Sequence, residues 1–141
     1  MSELTDLSNE LPAASTTATI PSITLRGVIY AARKAMHEGR LQCLYNSEKN
    51  TCHYRSQHEG KTLCCVVGAA LDDAAATDFD AEGDSSIQGI IARGKVHAPE
   101  NEVRLLVCLQ KAHDAMVNED APFETKKFAM RHILDTFERL I

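Results

Sequence analysis

The sequence predicts an α+β fold, a mostly helical single domain of about four helices with one small β-hairpin. Three observations carry that prediction. Apolar residues recur at helical spacing through residues 23–38, residues 100–117 and the segment after Pro122. Cys52-His53-Tyr54-Arg55-Ser56 alternates as a strand does, and Glu59-Gly60 separates it from the apolar run Leu63 to Leu71. Finally, 141 residues with 44 % hydrophobic content can build one core. No apolar run approaches the roughly 18 residues that a membrane span needs.

Taken in order, residues 1–21 are Ser/Thr/Ala-rich and acidic and read as a flexible N-terminal tail, leaving residues 22–141 as the globular domain. Ser22 is placed to cap a helix from Ile23 to Glu38, in which Leu25, Val28, Ile29, Ala32, Ala35 and Met36 form one stripe and Gly39 is the stop. The alternating segment would put Cys52, Tyr54 and Ser56 on one face and His53 and Arg55 on the other. After the turn, Val66 and Val67 favour a strand while Ala69, Ala70 and Leu71 favour a helix, so the hairpin's second arm is expected to feed a short helix. Gly68 falls where another backbone comes close. Asp72 to Asp84 reads as an acidic connector. Ser85 or Asp84 then caps a short helix containing Ile87, Ile90 and Ile91, closed at Gly94. Pro99 and Pro122 suit the openings of the last two helices.

The net charge of −5 is segregated. Residues 23–71 carry seven Lys/Arg against three acids, whereas residues 72–102 carry eight acids against two bases. With no strongly basic domain, direct nucleic-acid binding is not expected, while two faces of opposite sign suit steering of a protein partner. The N-terminus lacks the basic and apolar regions of a signal peptide, and the five cysteines are scattered, so reduced thiols in a cytoplasm are expected.

Candidate sites follow from residue type and spacing. Cys52-His53, His58 and Cys64-Cys65 offer soft ligands, but the pairs are adjacent, unlike the spaced pairs of zinc sites. Buried core thiols and no metal or other cofactor are the expectation. Asp78-Phe79-Asp80-Ala81-Glu82-Gly83 begins like a calcium loop and then departs from one, with Ser85 at the eighth position and Gly89 at the twelfth. A solvated acidic loop is expected there, and Asp78, Asp80, Glu82 and Asp84 are the candidate partner contacts. A thiol enzyme would need Cys52 or Cys65 with His113 and an orienting Asp114, but neighbours on a helix point about 100° apart. Cys52, Tyr54, Arg55, Cys65, Gly68, His113 and Asp114 are therefore expected to be structural, with Arg55 tied to Asp72 or Asp73.

In chain order stand Glu38-Gly39-Arg40, Cys52-His53-Tyr54-Arg55, Gly60, Cys65-Val66-Val67-Gly68, Asp72-Asp73, Glu82-Gly83-Asp84-Ser85 and Leu109-Gln110-Lys111-Ala112-His113-Asp114. On these motifs the chain resembles, over about residues 25–115, a group of small bacteriophage and prophage proteins of unassigned function. Their pattern has Gln-Gly-Arg where this chain has Glu38-Gly39-Arg40. The chain departs further in a longer turn between Cys52 and Cys65 and in lacking a Pro before the paired acids. The resemblance implies a phage-like origin. Small phage accessory proteins commonly bind one host protein. The expected function is thus a non-enzymatic, cytoplasmic protein–protein binder that inhibits a bacterial host-defence protein, in an anti-CRISPR-like role, or a regulatory protein. The alternatives are a metal- or thiol-dependent enzyme using Cys52, Cys65 and His113, and a minor virion or packaging component.

Overall fold

The computed structural model describes residues 20–42, 45–46, 51–117 and 122–141. Helix α1 (Leu25–His37) is capped by Thr24, whose hydroxyl accepts from the Gly27 N–H at 3.0 Å. Ser22 does not cap it, because Ser22 bridges to His97 instead. That bridge is fixed on both sides: Ile23 N–H donates to the His97 carbonyl at 2.8 Å, and His97 N–H to the Pro21 carbonyl at 2.9 Å. The expected tail lies outside the described residues up to residue 19, and Pro21 already belongs to the domain. Leu25, Val28, Ile29, Ala32 and Ala35 bury the predicted stripe, and Gly39, at φ +75°, ends the helix.

Strands β1 (Tyr45–Asn46) and β2 (Thr51–Cys52) form an antiparallel ladder with Tyr45 opposite Cys52. Two residues per strand are too few for alternation to reveal. Strands β3 (Arg55–His58) and β4 (Lys61–Cys64) make the expected hairpin, in register from Arg55 opposite Cys64 to His58 opposite Lys61. Glu59 and Gly60 close it with φ of 50° and 80°, both positive, as a two-residue turn matched to strand twist requires. The single alternating strand expected over residues 52–56 is interrupted: Cys52 ends β2, and Tyr54 lies buried between the strands. Beyond β4 the chain tightens into a 3-10 turn at Gly68–Ala70.

The expected acidic connector is partly a helix, α2 (Asp73–Asp80). Asp72 caps it by accepting from the Ala75 N–H at 2.8 Å, Asp73 favours its N-terminal dipole, and three successive alanines carry high helix propensity. Helix α3 (Ile87–Ala92) is capped by Ser86 rather than by Ser85 or Asp84. Asp84 supports that cap, accepting from both the N–H and the hydroxyl of Ser86. Pro99 precedes a 3-10 turn (Glu100–Glu102) that runs into α4 (Val103–Val117), and Pro122 opens α5 (Phe123–Glu138). Five α-helices are thus present among the described residues.

The core lies where α1, α4 and α5 meet the residues that flank the hairpin. Leu106 and Leu109 of α4 and Met130 and Leu134 of α5 join the α1 stripe, Val66 and Val67. The rings of Tyr54 and Phe79 meet edge to face at 5.6 Å. No helix among the described residues is long and apolar enough to cross a membrane.

One cysteine expectation is overturned. Cys52 is disulfide-bonded, its partner lying outside the described residues, whereas Cys64, Cys65 and Cys108 are reduced. An odd cysteine count argues against a full disulfide framework, not against a single bridge. Cys64 and Cys65 are buried, which pushes both thiols up from their ordinary range, while Cys108 is exposed. A thiol reagent is therefore expected to modify Cys108 rapidly in the folded protein, and Cys64 and Cys65 only on unfolding. Peptide mass spectrometry over a labelling time course checks this; early modification of Cys65 would contradict its burial.

Candidate functional site

The hairpin's entry is held by side chains from two later elements. Tyr54 N–H donates to Asp80 Oδ1 at 2.7 Å and Arg55 N–H to Asp80 Oδ2 at 3.3 Å, so one carboxylate at the end of α2 receives both. The Tyr54 hydroxyl donates to the Ser85 carbonyl at 2.6 Å, and burial pushes that phenol far above its usual range. Arg55 pairs with Asp73, as expected, and its guanidinium also donates to the carbonyls of Gly68 and Leu71. Arg55 thus ties the hairpin to the 3-10 turn and α2.

Behind this lies a buried polar chain. Gln110 on α4 accepts from the Val67 N–H at 3.1 Å and donates to Asp114 Oδ1 at 2.8 Å. Its side chain also hydrogen-bonds Cys65, whose sulfur accepts from the Gly68 N–H at 3.3 Å. Asp114 Oδ1 sits 3.2 Å from Nδ1 of His113, contrary to the expectation that adjacent helical residues diverge too far. The 100° separation applies at Cβ, and the two side chains converge beyond it. His113 is 1 % exposed, and its Nε2 is buried without a hydrogen-bond partner among the described residues. Cys52 Sγ, a His113 ring nitrogen and an Asp114 oxygen all lie within 4.8 Å of one another. Among the described residues this is the one such group able to hold a metal. His53, Cys64 and Cys65 do not join it.

The four acids proposed as contacts are all engaged within the fold. Asp78 and Asp80 stand on α2 rather than in a loop, and Asp80 holds the hairpin as above. Lys95 Nζ lies 2.8 Å from Asp78 and 3.0 Å from Glu82. Arg93 lies 3.1 Å from Glu82 and 3.8 Å from Asp84. Hydrogen bonding to Lys95 lowers the Glu82 pKa, and hydrogen bonding to Ser86 lowers that of Asp84.

A different surface is basic and aromatic. Helices α1 and α5 run antiparallel, with Arg33 pairing Asp135 at 2.7 Å and Glu138 at 2.5 Å. At one end of the seam a cleft of about 250 Å³ is lined by Arg26, Tyr30 and Ile141, among others. At the other end a cleft of about 220 Å³ is lined by Arg33, Met36, His37, Lys127 and Arg131. Tyr30, which lines the first of these clefts, is 71 % exposed. Arg26, Lys34, Lys127 and Arg131 form no ion pair among the described residues. The sequence contained the signal: Tyr30 falls opposite the apolar stripe of its helix, with Arg26, Lys34 and His37 beside it. Compared with known proteins, the chain matches no family model, no curated protein and no solved structure.

Proposed function

We propose that the protein is a non-enzymatic protein–protein binder of the phage accessory type, inhibiting a host-defence or regulatory protein, and that it engages an acidic surface of that partner through the α1/α5 seam. The observation that carries this reading is the exposed Tyr30 between Arg26 and Arg33. Tyr and Arg are the residues most enriched at binding hot spots, and a rigid helix presents them at little entropic cost. Asp78, Asp80, Glu82 and Asp84 have basic or backbone partners of their own, which makes them weaker candidates. A protein partner fits better than nucleic acid, because Asp135 and Glu138 stand in the same seam and would repel phosphates.

The test uses a partner captured from host lysate and then purified. Combining Tyr30→Ala, Lys34→Glu and Arg131→Glu is expected to slow association at least about tenfold at low salt, with an unchanged melt. A variant carrying Asp78→Asn, Glu82→Gln and Asp84→Asn should associate at the wild-type rate. The reverse pattern would move the contact to the acidic side. Nuclease-sensitive capture, or turnover of a substrate with no partner present, would overturn the binder reading itself.

A further inference from the structure

We propose that reduction of the Cys52 disulfide opens a zinc site formed by Cys52, His113 and Asp114. This inference is independent of the binder reading and rests on three observations. The ligand atoms of the three residues already lie within 4.8 Å of one another. A tetrahedral zinc ion, with bonds of about 2.3 Å to sulfur and about 2.0–2.1 Å to nitrogen, holds its ligands about 3–4 Å apart, so small side-chain rotations suffice. The second observation is His113, 1 % exposed, with Nε2 buried and unpartnered among the described residues. A buried imidazole nitrogen normally finds a partner, and this orphan belongs to the ring whose other nitrogen lies 3.2 Å from the Asp114 carboxylate. The third is the support around the trio. Gln110 Nε2 donates to Asp114 Oδ1 at 2.8 Å, and the Val67 N–H fixes Gln110 in turn. Such outer hydrogen bonds orient metal ligands.

The disulfide sets the condition. While Cys52 is oxidised, its sulfur carries no thiolate charge and cannot serve as a zinc ligand of this type. A thiol reductant of the glutathione or dithiol class delivers two electrons and two protons to the bridge. The S–S bond breaks, two thiols form, and the reductant leaves as its own disulfide. Zinc then displaces the proton of the Cys52 thiol, which is released to solvent, and takes neutral His113 and the Asp114 carboxylate as further ligands. The Asp114 side chain, 22 % exposed, is the edge of the trio that faces solvent, the side from which a water would complete the zinc tetrahedron.

The experiment uses the full chain, reduced with dithiothreitol and desalted anaerobically, with zinc and its spectroscopic substitute cobalt(II) as probes. Reduced protein is expected to bind one cobalt ion per chain, with a thiolate-to-cobalt charge-transfer band that zinc abolishes. Oxidised protein should show neither. Cys52→Ser should remove the charge-transfer band, and Asp114→Asn should weaken zinc binding by about ten- to a hundredfold. Cys108→Ser, at an exposed cysteine remote in role from the trio, should bind as wild type does. His113→Gln serves only where its circular dichroism matches the wild type; Asp114→Asn supplies the same test otherwise. Absence of binding by the reduced protein, equal binding by the oxidised protein, or an unchanged band in Cys52→Ser would each overturn the site.

Discussion

Gly68→Ala is expected to be among the most damaging single-methyl additions to this chain, destabilising it by about 4 kcal/mol or more. A Cβ built on Gly68 would stand 1.9 Å from the Tyr54 carbonyl oxygen and 2.7 Å from its carbon. These are backbone atoms, so no side-chain rotation relieves the collision; the hairpin entry and the 3-10 turn must separate. Separation breaks the bond from Cys65 N–H to that same Tyr54 carbonyl, 3.3 Å, and loosens the Arg55 bond to the Gly68 carbonyl, 2.9 Å. Gly60→Ala is the useful comparison. Nothing lies within 4 Å of its Cβ position, but its φ of 80° carries a strain of about 1–2 kcal/mol for an L residue. Urea unfolding of both variants checks the ranking, and a Gly68→Ala midpoint at or above that of Gly60→Ala would refute it.

Gly68 also shows what the sequence made legible. A glycine inside an apolar run, after a predicted strand, points to close backbone approach, and the hairpin, α1 and both late helices follow from periodicity, with their starts shifted by up to three residues. Several of the misreadings share one physical cause, a partner far along the chain. Asp72 to Asp80 is polar enough to pass for a connector; Phe79 and Ala76 fix it as a helix only once the Tyr54 ring is there to pack on. Ser22 is as good a cap as Thr24 until His97, far along the chain, claims its backbone. The meeting of Cys52 with His113 joins segments some sixty residues apart, which no local spacing encodes. Gln110 was legible in part, because Gln and Asp four apart on a helix face one another.

Asp80→Ala is expected to cost about 2–4 kcal/mol, far more than neutralising the other three acids of its segment. Its carboxylate closes α2, where the helix dipole disfavours negative charge, so its position needs compensation from elsewhere. The compensation is the pair of backbone N–H groups of Tyr54 and Arg55, at 2.7 and 3.3 Å. Removing it leaves both donors at the entrance to the hairpin without their acceptor, and loosens Tyr54, whose ring packs on Phe79 and whose hydroxyl holds the Ser85 carbonyl. Asp80→Asn should be intermediate, since the amide keeps one acceptor oxygen but turns an N–H₂ donor toward the second backbone N–H. Asp78, Glu82 and Asp84, by contrast, exchange partly solvated ion pairs with Lys95 and Arg93 for hydration, and their joint neutralisation should shift the melting temperature only slightly. Thermal and urea melts of the Asp80 variants against the triple variant decide the matter. If Asp80→Ala melts with the wild type, or the triple variant falls as far as Asp80→Ala, the carboxylate does not anchor the hairpin.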